Sequence, residues 1–140
     1  MYAILKHAHS GLRWAVLIFL VWTIVNALIK LNKKDFTEKD RKLGVFALMS
    51  THIQFIIGLV LIGFSPLIKI DGVVKSFYLG QHIPMMLLAV ILITVGYSTS
   101  KRAVTSSSKF KKTLIFNLIG LVLILAAVPW PFRNLGGNWY

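Results

Sequence analysis

The chain has 140 residues, of which 56% are hydrophobic and only 14% charged, with a formal net charge of +12 and no cysteine. Soluble domains carry roughly a quarter charged residues, so an ordinary water-soluble fold is excluded. The missing cysteines exclude disulfides, thiolate metal sites, iron–sulfur clusters and thioether-attached haem.

Four long apolar runs follow one another, at residues 11–31, 43–68, 81–100 and 113–130. Each is near the length of about 20 residues that a helix needs to cross a bilayer. None alternates as a barrel strand does, and backbone polar groups in hydrocarbon require helices or a closed barrel. The expected fold is therefore all-α, a single four-helix transmembrane bundle running up-down-up-down through short connections.

The first run is longer than a signal-peptide core and lacks a small-residue cleavage site, so it reads as a retained span. Good helix formers precede Gly11, which allows this helix to begin near Tyr2. Ser65 and Pro66 close or bend the second helix. In the third, Pro84 lacks the amide that would serve the Gly80 carbonyl. That helix either starts just before Pro84 or starts near Ser76 with a kink. Ser106–Ser108 reads as a solvated loop tip. Pro129 and Pro131 close the fourth helix, and residues 134–138 read as a loop.

The basic residues fall on one side. Connections 30–42 and 101–112 hold eleven of the sixteen, diluted by Asp35, Glu38 and Asp40. Short-loop charge bias places these connections in the cytoplasm and both termini outside, in the cytoplasmic (inner) membrane. The charge is thus explained by topology and by anionic headgroups, with no nucleic acid as partner. The outer side collects Tyr2, Phe77, Tyr78, Trp130, Phe132, Trp139 and Tyr140 as an interfacial aromatic belt.

Four histidines carry the available chemistry, because no acidic residue lies inside a span. At 1.5 Å per residue, His9 stands about 33 Å and His82 about 28 Å from the basic ends of their helices, so the two can face each other. His7 and His9 lie about 200° apart, and only one points inward. His52 is deeper, about 13 Å from its basic end, and a ring at that depth needs a partner. An axial ligand, a hydrogen bond to a quinone, or a structural link to Asn117 or Tyr97 would each supply one. Two imidazoles from different helices of a bundle commonly hold a b-type haem. Arg13, one turn inward from His9, suits a haem propionate. Ala89 and Gly96 share the face of His82 and leave space for a flat macrocycle or for helix contact. Met85 and Met86 are soft candidate ligands that more often pack. No triad, carboxylate pair, phosphate loop or zinc signature is present, so acid–base work inside the bundle would fall to histidine.

Three segments, His7-Ala-His9-Ser-Gly-Leu-Arg13-Trp14, His52-Ile-Gln54-Phe-Ile-Ile-Gly58-Leu and Gln81-His82-Ile-Pro84-Met85-Met86, together with Val128-Pro129-Trp130-Pro131, resemble the small four-helix cytochrome b-like membrane proteins. The layout is more distantly similar to one half of haem A synthase. The resemblance implies a b-type haem protein with His9, His52 and His82 as marked positions and Arg13 beside them. It also implies an acidic residue ahead of the third histidine, where this chain has Gln81.

The expectation is haem b held by His9 and His82, with His52 as reserve ligand or quinone contact. Electrons would pass between quinone and an external redox partner, with a larger membrane redox complex or a homo-oligomer as setting. The competing expectations are a cofactor-free structural or assembly subunit, and an enzyme acting on haem or quinone.

Overall fold

A computed structural model describes every residue except Ile70, Asn138 and Tyr140. The described residues contain helices and no strand. Four helices are long and apolar enough to cross a membrane: α1, Tyr2–Ile29; α2, Glu38–Phe64; α3, Val73–Arg102; and α4, Ser106–Ala127.

α2 and α4 start ahead of their apolar runs because local capping, which hydropathy does not register, sets those ends. Thr37 caps α2, and its hydroxyl and amide exchange hydrogen bonds with Asp40 in a capping box. Asp40, expected in the first connection, is therefore part of the helix. Its side chain is 2% exposed and also holds Lys30 at 2.7 Å and Asn26 at 2.8 Å. One buried carboxylate thus ties the end of α1 to the start of α2, a charge-assisted arrangement stronger than a surface ion pair. Thr105 caps α4 by accepting from the Ser108 amide. The serine run is consequently the first turn of α4 and not a loop tip. Ser106 bridges to the first connection, donating to the Lys34 carbonyl and accepting from the Phe36 amide.

α2 stops at Phe64, where Ser65 turns extended and caps a short 3-10 turn at Pro66–Ile68. α3 starts earlier than either sequence expectation, at Val73, and continues through Pro84. It does so by way of a π-helical turn at Tyr78–His82, in which the Ile83 amide reaches back to the Tyr78 carbonyl. Such a one-residue shift in the ladder, directly before a proline, absorbs the missing amide.

The core is narrow. Leu20, Ala47, Ala89 and Ile93 are almost fully buried at its centre, with Val16, Ile124 and Val128 around them. α3 and α4 pack most closely: a Cβ on Gly96 would stand 2.3 Å from Phe116 Cβ, and one on Gly120 would stand 2.8 Å from Ile93 Cγ1. Ala89 and Gly96 therefore serve helix contact and leave no space for a ligand. Outward faces keep large apolar side chains such as Ile18, Trp22, Phe46 and Val122 exposed. The hydroxyls of buried Thr23 and Thr51 and half-buried Thr94, and the Asn117 amide, bond to carbonyls four residues earlier, so these polar groups cost the bundle little.

The glycine contact is testable. Gly96→Ala is expected to lower stability in detergent by about 1–3 kcal/mol through overpacking. Gly63→Ala, where a Cβ meets nothing within 4 Å, is expected to be neutral or slightly stabilising. Thermal unfolding followed by circular dichroism checks both, and equal effects at the two sites would refute the packing assignment.

Candidate functional site

The contacts around α4 give a ring of neighbours, α1 beside α2, α2 beside α3, α3 beside α4, and α4 beside α1. α1 and α3 face each other across the middle. At the end away from the basic connections they stand apart, and a cavity of about 130 Å³ lies between them. One ordered water needs only about 10–15 Å³ of such space, so the cavity is large enough for more than solvent. His9, Arg13 and His82 all line it; Gln54, Gly58 and Met86 do as well.

The site follows from a proline-set helix end. Val128 precedes Pro129 and is held at φ −66°, ψ 130°, outside the helical region. α4 therefore stops, and the carbonyls of Leu125, Ala126 and Ala127 lose the donors of residues 129, 130 and 131. Two of those three are prolines with no amide hydrogen to give. Side chains replace them. Trp130 Nε1 donates to Leu125 at 3.0 Å, Arg133 donates to Ala126 at 2.9 Å, and His82 Nδ1 stands 2.7 Å from the Ala127 carbonyl.

A carbonyl only accepts, so His82 Nδ1 carries the hydrogen. In the neutral ring, Nε2 is left with a free lone pair, the form in which a histidine binds a metal. The partner that orients this imidazole is a backbone carbonyl 45 residues away in sequence, and the neighbouring Gln81 is exposed. Tyr78 packs edge-on against the His82 ring at 5.5 Å and donates its hydroxyl to the Leu135 carbonyl.

His9 arrives from the other side. Its ring centre is 6.5 Å from that of His82, with the planes at 71°. Its Nδ1 is buried without a hydrogen-bond partner, as is Oε1 of Gln54, whose amide donates to the His9 carbonyl at 2.8 Å. Gly58 makes room: a Cβ there would lie 2.9 Å from His9 Cε1. His7 points outward and is exposed, as the helical spacing requires.

Arg13 is 8% exposed and lies at the edge of the cavity. It donates to the Trp139 carbonyl at 3.0 Å, and its guanidinium stands 5.5 Å from both the Trp14 and the Trp130 rings. The aromatic residues expected on this side do gather: Trp130 meets Trp14, Phe132 and Trp139. Tyr140, expected among them, lies outside the described residues.

His52 is elsewhere. Thr51, Gln54 and Gly58 of α2 line the cavity, and His52 does not. Its Nδ1 donates to the Leu48 carbonyl at 2.8 Å, and Nε2 stands 3.4 Å from Thr94 Oγ1. The structural link foreseen to Asn117 or Tyr97 is not the one made; His52 turns to Leu48 and Thr94 instead. Asn117 bonds to Thr113, and the Tyr97 ring packs beside Gly44.

Sequence reasoning missed Gly58, Gln54 and the Ala127 carbonyl. Gly58 and Gly63 both lie on α2, yet of the two only Gly58 meets a neighbouring side chain. The signal available was the spacing Gln54-x-x-x-Gly58, one stripe of α2 that meets the His9 turn.

Among the described residues, no group of three or more histidine or acidic side chains comes together. A bare metal ion would find two imidazoles here, fewer than a closed zinc site takes. A metalloporphyrin brings its own equatorial nitrogens and asks the protein for one or two axial ligands. His9 and His82 would be the residues to hold it, and their ring centres are 6.5 Å apart. The donor set fits that group. Comparison with family models, curated proteins and solved structures gives no match.

Two substitutions test the geometry without any ligand. Gly58→Ala is expected to displace the His9 ring and shift its NMR resonances, while leaving those of His52 in place. Unchanged His9 signals would show that the glycine is not what admits the ring. The Pro129→Ala/Pro131→Ala double variant restores two backbone donors and lets α4 continue. His82 is then expected to lose its fixed Nδ1–H tautomer in long-range ¹H–¹⁵N spectra; retention would show that the prolines do not control it.

Proposed function

We propose that this chain is an integral protein of the cytoplasmic membrane that binds haem b through His9 and His82 and transfers electrons between quinone and an external redox partner. The supporting observation is the facing pair of imidazoles, 6.5 Å apart, one of them fixed with its Nε2 lone pair free by the Ala127 carbonyl. In a bilayer an ionisable ring is retained for a reason, and coordination to iron is a sufficient one. Four apolar helices with exposed apolar flanks support insertion. Their basic connections support an orientation with those connections in the cytoplasm and both termini outside.

Haem iron, when bound, supplies reversible one-electron transfer. The protein's part is to hold and shield. His82 is kept as a ligand by its second-nitrogen hydrogen bond, which raises ligand basicity. Arg13, set between two indole rings and the Trp139 carbonyl, places a permanent positive charge at the cavity edge, where an anionic substituent of the cofactor would be stabilised. Val16, Ile124 and Val128 close the inner wall and keep water out.

Reduced-minus-oxidised spectra of the purified protein, expressed with ample haem, are expected to show a b-type band. His9→Ala and His82→Ala should each lower haem content more than about tenfold, and His52→Ala should leave it near the original level. Lack of a band in the unaltered protein would overturn the reading. Loss in His52→Ala with retention in His9→Ala would overturn the ligand pair.

A further inference from the structure

The end of the bundle opposite the histidines holds a second cavity, of about 190 Å³, between the start of α2, the end of α3 and the start of α4. Its charged lining consists of Glu38, Asp40, Arg41, Lys101 and Lys109. Both carboxylates are already engaged. Asp40 is turned inward onto Lys30, Asn26 and Thr37, and Glu38 holds Arg41 through two hydrogen bonds.

Lys101 and Lys109 are different. Among the described residues neither forms an ion pair, and Lys109 Nζ stands 5.3 Å over the Phe36 ring. Arg41 is held by the Glu38 carboxylate, and Tyr97 lines the same cavity. The Tyr97 ring packs beside Gly44 of α2, where a Cβ would lie in ordinary contact at 3.6 Å. The cavity therefore presents two lysines without acidic partners, with Tyr97 and the Glu38-paired guanidinium of Arg41 beside them. Ammonium groups act as point-charge ligands for phosphate, and a guanidinium adds directional hydrogen bonds.

We propose that this cavity binds the phosphate of an anionic membrane lipid. Eleven of the sixteen basic residues lie in the two connections at this end, against three acidic ones, so the local potential attracts anions. The lipid is favoured over free phosphate by position. Phe46 and Met49 on α2 and Val95 on α3, within about two or three turns of the cavity, are exposed apolar side chains along which acyl chains can lie. The proposal rests on the membrane reading of the four helices and is independent of haem.

The test uses the whole protein, delipidated in detergent and examined by native mass spectrometry with phosphatidylglycerol, phosphatidylcholine or inorganic phosphate. One phosphatidylglycerol is expected to be retained in preference to phosphatidylcholine. Lys101→Gln/Lys109→Gln is expected to weaken that retention by on the order of tenfold, and Tyr97→Phe, which keeps the ring packing, by a smaller factor. Lys111→Gln/Lys112→Gln removes the same charge outside the cavity and is expected to change it less than about twofold. Equal weakening by the two double variants would reduce the effect to diffuse charge and overturn the site. Equal retention of the two lipids would also overturn it. Displacement of lipid by millimolar inorganic phosphate would assign the cavity to the free anion. Haem content in the same preparations reports separately on the histidine site.

Discussion

The bundle depends on what happens to three carbonyls at the end of α4. A helix always leaves its last carbonyls without donors, and in water the solvent supplies them. In an apolar setting each unsatisfied group costs several kcal/mol. Here a proline-rich turn both ends the helix and withholds the amides that might follow, so Trp130, Arg133 and His82 are drawn in as side-chain donors. The consequence reaches beyond α4. His82 belongs to α3, and its bond to Ala127 joins the two helices at the end where they are not held by the close glycine contacts of Gly96 and Gly120. The ring's orientation and protonation pattern are thus by-products of satisfying a backbone group.

The same rule separates the histidines that line the cavity from His52, which does not. Most polar groups inside the helices are satisfied within their own helix, as Thr23, Thr51 and Asn117 show. His52 joins them, bonding back to Leu48 with Thr94 beside it. Depth demanded a partner, and the backbone provided one. At the His9 turn this local solution is missing: His9 Nδ1 and Gln54 Oε1 are buried without partners. Buried polar atoms in native structures are nearly always satisfied, and both of these belong to residues that line the cavity.

Hydropathy made the four helices legible, because apolar length is a property of composition that any bundle must respect. The meeting of His9 and His82 was legible too, since helical rise and periodicity convert sequence position into height and direction. The helix ends were not. Asp40 and Ser106 are polar residues in a charged stretch, and only their capping geometry shows them to be helical. Small residues also misled. Gly96 and Gly58 are alike in sequence, but the first admits Phe116 from α4 and the second admits a histidine from α1. A glycine in a helix announces close approach without naming what approaches. The π-helical turn at Tyr78–His82 was equally hidden, for a proline inside a helix can be met by a kink, a restart or a shifted ladder.

The two halves of the chain are fastened in different ways, and this bears on the site. α1 and α2 are clamped at the basic end by Asp40 with Lys30, Asn26 and the Thr37 cap. α3 and α4 are joined along their length by glycine contacts and at the far end by His82. The cavity lies between these two hairpins, with His9 supplied by one and His82 by the other. Their separation is therefore fixed by how the hairpins rest on each other, through the narrow core around Leu20, Ala47 and Ile93. A ligand gripped from both sides would stabilise the packed bundle, since anything that binds the folded form alone does so. The thin core and the divided histidine pair are then linked: the packing of one hairpin on the other is what brings His9 and His82 within 6.5 Å of each other.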